Sequence, residues 1–249
     1  MSTFPEYSGY GQVSEKKFLG IRYAKIFGFM FIALLITAAV AAGLGGLVTY
    51  LVSQGEATED AGLSIFLIAI VAGGIGSIAL SFVITFMYAH GKHSILVPGI
   101  LYCVFMGVLL SSFAVFIPWT ILSMAFGITA LSFGLMALIG VFSKGNLNLL
   151  GYIGLGLLFG ALAMSLFGFA FYLISPATFE LYYIVIDFVV LAAMLLFVAF
   201  DMNKVKRYIN SGAEEKNTEL MCSFILYCDF IQIFIRIVYI LLRAYSRNK

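Results

Sequence analysis

Seven long apolar segments, separated by short polar stretches, run along the chain. A helix needs about 20 mostly apolar residues to cross the hydrocarbon core of a bilayer, and each segment meets or nearly meets that length. The apolarity is continuous and does not alternate at every second residue, which predicts helices and not a membrane β-barrel. The predicted spans are residues 26–52, 63–89, 95–117, 119–142, 147–174, 181–202 and 220–242.

The composition of the chain agrees with this pattern. Of its 249 residues, 63% are hydrophobic and 10% are charged, whereas a soluble domain is typically about 25% charged. We therefore predict an all-α integral membrane protein, a seven-transmembrane-helix bundle. Residues 1–20 would form a short N-terminal tail, and residues 21–249 would form one membrane domain.

Charged residues in the connections predict the orientation of the bundle. Bacterial and eukaryotic membrane proteins carry excess Lys and Arg in their cytoplasmic loops. The basic residues precede the first span or follow the second, fourth and sixth: Lys16, Lys17, Arg22, Lys25, His90, Lys92, His93, Lys144, Lys204, Lys206, Arg207 and Lys216. The opposite loops carry Glu56, Glu59, Asp60 and Glu180. We expect a cytoplasmic N-terminus and seven spans, although the basic C-terminal residues then lie outside; a last segment that re-enters and returns is the alternative.

Small residues suggest close helix packing. Gly156 and Gly160 form a GxxxG pair in the fifth span, and such pairs let helices approach closely in lipid. Packing within one bundle is the simpler interpretation, and a hinge or a dimer face is the alternative.

Four ionisable residues lie within the last two apolar segments: Asp187, Asp201, Asp229 and Arg236. A charge at that depth is costly unless it is paired, protonated or hydrated. Asp187 and Asp201 are 14 residues apart, close to four helical turns, so they face the same way at a separation of about 21 Å. Asp229, Gln232 and Arg236 form one polar stripe that should face the bundle interior or water.

Asp201 and Asp229 become one site only if the last two helices are staggered in depth. Asp201 ends the sixth apolar segment, whereas Asp229 lies ten residues after Glu219, about 15 Å along a helix. The two carboxylates can meet if the sixth helix ends inside the bundle, or if the seventh begins outside the membrane. The polar residues 214–219 would allow the seventh helix to begin early.

A carboxylate pair inside a membrane has a defined chemistry. Two interacting carboxyl groups share a proton and titrate as a unit. With the proton, the pair holds two helices together by a hydrogen bond; without it, the pair repels itself and offers oxygen ligands to a hard cation such as Ca²⁺. The alternatives are an interfacial position for Asp201, a structural ion pair for Asp229, and a stretched Asp187–Arg236 bridge that ties two helices.

Two segments resemble motifs of the Bax inhibitor-1 family. Phe200-Asp201-Met202-Asn203-Lys204-Val205 resembles the aspartate motif that ends the sixth span of that family. Leu226-Tyr227-Cys228-Asp229-Phe230-Ile231-Gln232-Ile233-Phe234 resembles its seventh-span signature. The resemblance implies a bundle with a central C-terminal helix and a pH-sensitive Ca²⁺ leak gated by Asp201 and Asp229, which would also contact the ion. It further implies a bacterial-type member in the inner membrane and a membrane protease as a candidate partner.

The chain departs from the family at the second span. Family members can hold the sixth-span aspartate with an arginine there, and this span has none. His90, Lys92 and His93 are the candidates for a replacement, while Gln232, Arg236 and Asp187 are candidate accessory groups. Arg236 stands where a neutral polar residue is more usual.

Three functions fit these features. The first is a pH-sensitive calcium leak channel in the lipid bilayer, with protons and Ca²⁺ as its ligands. The second is a proton-coupled cation transporter, and the third is a non-conducting regulator of a membrane protease. We do not expect an enzyme, because the chain has two histidines and no metalloprotease motif or catalytic triad. The net charge of +2 does not indicate a nucleic-acid partner. Nor do we expect a resident cofactor, with Ca²⁺ as a permeating or transiently bound ion.

Overall fold

Seven long helices account for the described part of the chain. The computed structural model describes residues 8–53, 56–91, 94–174, 176–211 and 216–247. The helices are α1 Ser8–Val52, α2 Glu56–His90, α3 Leu96–Phe116, α4 Trp119–Phe142, α5 Asn148–Ile174, α6 Pro176–Asn210 and α7 Lys216–Arg247. Each contains a stretch that is long and apolar enough to cross a membrane. The predicted seven-helix all-α fold is therefore confirmed.

Several helices are longer than the apolar segments that predicted them. Helix α1 begins at Ser8, inside the segment predicted as an N-terminal tail. Helix α6 continues past the predicted end of its span to Asn210, and α7 begins at Lys216. Hydropathy marks only the part of a helix that suits lipid, whereas backbone hydrogen bonding continues through polar residues in water. Residues 212–215, between α6 and α7, lie outside the described residues.

Helix α7 is central in the bundle. It packs against α1, α4 and α6, with a smaller contact to α2. In its most apolar stretch 39% of the residues are buried, against 17–33% for the other helices. Helices α2 and α3 form one outer pair, and α5 lies on the outside against α6. The central position places the side chains of α7, including Asp229, among three neighbouring helices.

Glycines allow α4 and α5 to approach α6 closely. A Cβ atom at Gly140 on α4 would lie 2.5 Å from the carbonyl oxygen of Ala199 and 2.7 Å from the Cβ of Met202. A Cβ atom at Gly154 on α5 would lie 3.3 Å from the carbonyl oxygen of Ala193, a tight but less severe contact. The predicted GxxxG pair takes no part in this packing, because Gly156 and Gly160 have nothing within 4 Å of an added Cβ. The interpretation of that pair as packing within the bundle was wrong.

We expect Gly140→Ala to destabilise the bundle by about 1–3 kcal/mol, because the added methyl group must push α4 away from α6. The matched control is Gly134→Ala on the same helix, where an added Cβ meets nothing within 4 Å. That substitution should be neutral or stabilising by up to about 1 kcal/mol, since alanine is the better helix former. Reversible unfolding in mixed detergent micelles measures both. Equal effects at the two positions would contradict the packing argument.

Candidate functional site

Asp201 and Asp229 both lie well inside their helices. Helix α6 continues for nine residues beyond Asp201, about 14 Å. Helix α7 begins thirteen residues before Asp229, about 20 Å away. Because the chain reverses between the two helices, these distances bring the carboxylates to similar depths. Both helices therefore extend past the level of the two carboxylates. This is the arrangement in which Asp201 and Asp229 can lie close together.

The two carboxylates are electrostatic neighbours with different surroundings. The charges of Asp201 and of Lys204 both act on Asp229. The Asp201 side chain is 13% exposed and lies 3.4 Å from the Nζ atom of Lys204, one turn along the same helix. The Lys204 ammonium group also lies 4.0 Å from the centre of the Phe200 ring. Asp201 therefore has a cationic partner on its own helix.

Among the described side chains, Asp229 has no such partner. Its Oδ2 atom is buried and accepts no hydrogen bond from any described residue. A buried polar atom without a partner is costly, and a buried charge costs far more. A carboxyl group in this position is tolerated when it carries a proton, or when water or a cation reaches it. The geometry thus leaves one member of the pair open to exchange with a proton or a cation.

The pair does not form a complete metal site. Among the residues that the structure describes, no group of three or more His, Cys, Asp or Glu side chains converges. Calcium in proteins takes six to eight oxygen ligands. Two carboxylates alone would contact such an ion briefly, with water or backbone oxygens completing its shell, and would not hold it as a structural ion.

The part of α6 that carries Asp201 is anchored to the connection between α4 and α5. Asn203 is buried and donates through Nδ2 to the carbonyl oxygens of Gly140 and Gly145, at 3.4 Å and 3.2 Å. Lys206 donates from Nζ to the carbonyl oxygen of Ser143 at 2.9 Å. These bonds fix the position of α6 relative to α4 and α5.

Of the candidate latch residues, only His90 lies among the described residues, and its contacts are on its own helix. His90 is exposed, and its Nδ1 atom is 2.9 Å from the carbonyl oxygen of Phe86 on its own helix. Its ring also lies against the Phe86 ring, with centroids 4.0 Å apart. Lys92 and His93 lie outside the described residues.

A buried arginine on the first helix is a feature that the sequence interpretation missed. Arg22 is 3% exposed, and its Nε atom lies 3.3 Å from Oε1 of Glu219 on α7. It also donates to the carbonyl oxygen of Ile209 at 3.4 Å and lies over the Tyr208 ring on α6. Arg22 thus joins α1, α6 and α7 at one end of the bundle.

The Arg22 contacts and the aspartate pair belong to one electrostatic region. The charges of Arg22, Asp201 and Glu219 all act on Cys222, which lies on α7 between Glu219 and Asp229. The sequence interpretation counted Arg22 only among the basic flanking residues. Its position after Ile21, at the start of an apolar run, was the available signal.

Asp187, Arg236 and Arg243 form a separate cluster in the last two helices. Asp187 is 3% exposed; its Oδ1 atom lies 3.0 Å from Nη1 of Arg236, and its Oδ2 atom lies 2.5 Å from Nη1 of Arg243. The Asp187–Arg236 bridge, which sequence spacing allowed only as a stretched contact, is formed. Gln232 is exposed, so the predicted polar stripe does not lie wholly in the interior.

A comparison with protein families agrees with the fold and with the two aspartate motifs. A family model described as "Inhibitor of apoptosis-promoting Bax1" matches residues 16–247, nearly the whole chain. A search of curated proteins found no match. The seven helices, the central α7 and this match together show that the chain is a multi-pass membrane protein that belongs to the Bax inhibitor-1 family.

Proposed function

We propose that the protein is a pH-sensitive calcium leak channel in which Asp201 and Asp229 form the gate. The observation that supports this most is the buried Oδ2 atom of Asp229, which lacks a hydrogen-bond partner and lies within the electrostatic range of Asp201. A purely structural carboxylate would be expected to have a partner. Asp229 lies in the middle of α7, the central helix of the bundle. We propose that a cation passes along this helix.

In the closed state the pair holds one proton. Asp201 keeps its charge beside Lys204, and Asp229 is neutral in its buried position. The surrounding interior is tightly filled, since Met202, Leu226 and Tyr227 are fully buried next to the two aspartates. In this proposal the packing blocks a hydrated cation while the pair holds its proton, so the closed state does not conduct.

Loss of the proton opens the gate. Two carboxylate charges then repel each other across the contact between α6 and α7. Asn203 and Lys206 anchor α6 to the α4–α5 connection, and Arg22 and Asp187 hold α7 on either side of Asp229, so the movement would be a local displacement of α7 near Asp229. The two ionised groups would attract water and offer oxygen atoms to Ca²⁺ as it passes. Since the closed state binds one proton more than the open state, a rise in pH favours opening.

The proposed setting is a bacterial inner membrane, with the N-terminus in the cytoplasm. The basic residues Lys25, Lys204, Lys206 and Arg207 lie at the bundle end where α6 terminates. That arrangement follows the positive-inside rule. The aspartate gate would then lie closer to the cytoplasmic side, while the Asp187 cluster would face the other side.

Calcium flux into liposomes tests the proposal. Purified full-length protein is reconstituted in vesicles that contain a calcium indicator, and flux is measured over a series of pH values. We expect flux above that of protein-free vesicles, increasing as the pH rises. A pH-sensitive dye on the opposite side separates the rival functions: a proton-coupled transporter moves protons in fixed ratio to Ca²⁺. Absence of flux at every pH would contradict a channel and favour a non-conducting regulator.

A further inference from the structure

A cavity at the other end of α6 is lined by a charged cluster with excess positive charge. The cavity has a volume of about 410 Å³ and lies between α5, α6 and α7. Its charged wall consists of Asp187, Arg236 and Arg243, and most of the remaining lining is apolar. It lies about 21 Å along α6 from Asp201, so it is separate from the proposed gate.

The charges in this cavity do not balance among the described side chains. Asp187 supplies one negative charge, and Arg236 and Arg243 supply two positive charges. One arginine would neutralise the buried aspartate, so the second remains uncompensated. An unbalanced charge beside the hydrocarbon core is costly, and its cost falls when an anion binds. A buried ion pair that merely ties helices together would not need the second arginine.

Both arginines also retain unused hydrogen-bond donors. A guanidinium group has five N–H donors, and each arginine directs Nη1 at one oxygen of Asp187. The Nε atom of Arg236 is buried without a partner. The side chains are 32% and 34% exposed, and both line the cavity. Asp187 thus holds two guanidinium groups close together, and each group has N–H donors that do not bond to Asp187.

We propose that Arg236 and Arg243 form a binding site for a phosphate-type anion, with Asp187 as the residue that positions them. The planar guanidinium group matches phosphate oxygens in pairs, which makes arginine the preferred residue for such anions. The anion is either the headgroup of an acidic phospholipid or free phosphate. Basic pockets between membrane helices bind acidic lipid headgroups, and the apolar remainder of the lining would suit acyl chains.

Binding measurements on the full-length protein in a neutral detergent test this proposal. The probes are short-chain phosphatidylglycerol, inorganic phosphate and, as a zwitterionic control, short-chain phosphatidylcholine; calorimetry measures the affinity. We expect phosphatidylglycerol, phosphate or both to bind more tightly than phosphatidylcholine. Arg236→Gln and Arg243→Gln should each weaken binding roughly tenfold, the effect of losing a charged hydrogen bond. Phosphate binding without lipid binding identifies a soluble anion, and the reverse identifies a lipid.

Asp187→Asn provides a test in the opposite direction. It removes the competing negative charge, and the amide oxygen that remains can still accept a hydrogen bond from a guanidinium group and keep it in place, so anion affinity should increase severalfold. This test does not require an arginine variant to fold. Arg207→Gln, at the other end of α6 where Arg207 contacts Asn148, is the matched control and should leave the affinity unchanged. Absence of binding by both anionic probes, or binding that none of the three cavity substitutions alters, would overturn the proposal.

Discussion

Asp229→Asn is expected to abolish the pH dependence of calcium flux and to reduce flux at high pH on the order of tenfold or more. The amide cannot lose a proton, so it imitates the protonated carboxyl group and keeps the gate closed. It should fold normally, because the closed state already accommodates a neutral group whose Oδ2 atom is buried. The measurement is indicator fluorescence in vesicles across the pH series.

Two variants of α7 serve as controls for this result. Asp229→Glu retains a titratable carboxyl group and should retain a pH response, with a shifted profile. Gln232→Ala removes a neighbouring polar side chain that is exposed and should leave the profile unchanged. Asp201→Asn should act in the same direction as Asp229→Asn but less strongly, because Asp201 has Lys204 beside it whereas Oδ2 of Asp229 is buried without a partner among the described residues.

Unchanged flux and an unchanged pH profile in the double variant Asp201→Asn/Asp229→Asn would exclude the aspartate gate. Loss of flux together with loss of the folded protein would say nothing about gating by itself. Size-exclusion chromatography and circular dichroism of each variant therefore accompany the flux assay. The Asp229→Glu variant distinguishes the cases, since it preserves the charge and changes only the length of the side chain.

Arg22→Gln is expected to lower the free energy of unfolding by about 3 kcal/mol. Removing one member of a buried ion pair leaves its partner poorly compensated, here Glu219, which is 20% exposed and would keep only the exposed Lys25 at 3.9 Å. The substitution also removes the hydrogen bond to Ile209 and the contact with Tyr208. The contacts that join α1, α6 and α7 at this end of the bundle are therefore lost together. Reversible unfolding in mixed micelles measures the change.

Lys25→Gln is the matched control, because Lys25 lies 3.9 Å from the same glutamate but is 57% exposed. Solvent screens such a pair, so the expected cost is below about 1 kcal/mol. The double variant Arg22→Met/Glu219→Leu removes both charges and should recover much of the loss. Equal effects of Arg22→Gln and Lys25→Gln would show that burial does not determine the strength of this tie.

The sequence was sufficient to predict the membrane spans and the position of each charged residue along its helix. Rise per residue and turn angle are nearly constant in a helix, so the spacing of Asp187 and Asp201 already placed them on one face, far apart. The polar stretch before Leu220 indicated that α7 starts early, and α7 begins at Lys216. The two aspartate motifs led to the family that the comparison supports.

The sequence did not predict which residues of different helices contact each other. Arg22, which is buried, and Lys25, which is exposed, lie in the same basic flank, and the apolar neighbours of Arg22 were only a weak signal that separated them. Arg243 was expected in an outer tail, and it pairs with Asp187. These outcomes depend on how each helix is rotated against its neighbours and on where polar helix ends meet.

The sequence by itself determined the fold class, the seven apolar helices and the presence of three aspartates in the last two of them. Only the tertiary structure decided which faces meet: Arg22 with Glu219, Asp187 with two arginines, and Asp229 without a hydrogen-bond partner for Oδ2. The physical reason is that lipid is as apolar as the bundle interior. Exposed residues such as Phe82 and Phe142 are as hydrophobic as buried ones, so hydropathy reveals which segments span but not the direction in which each face points.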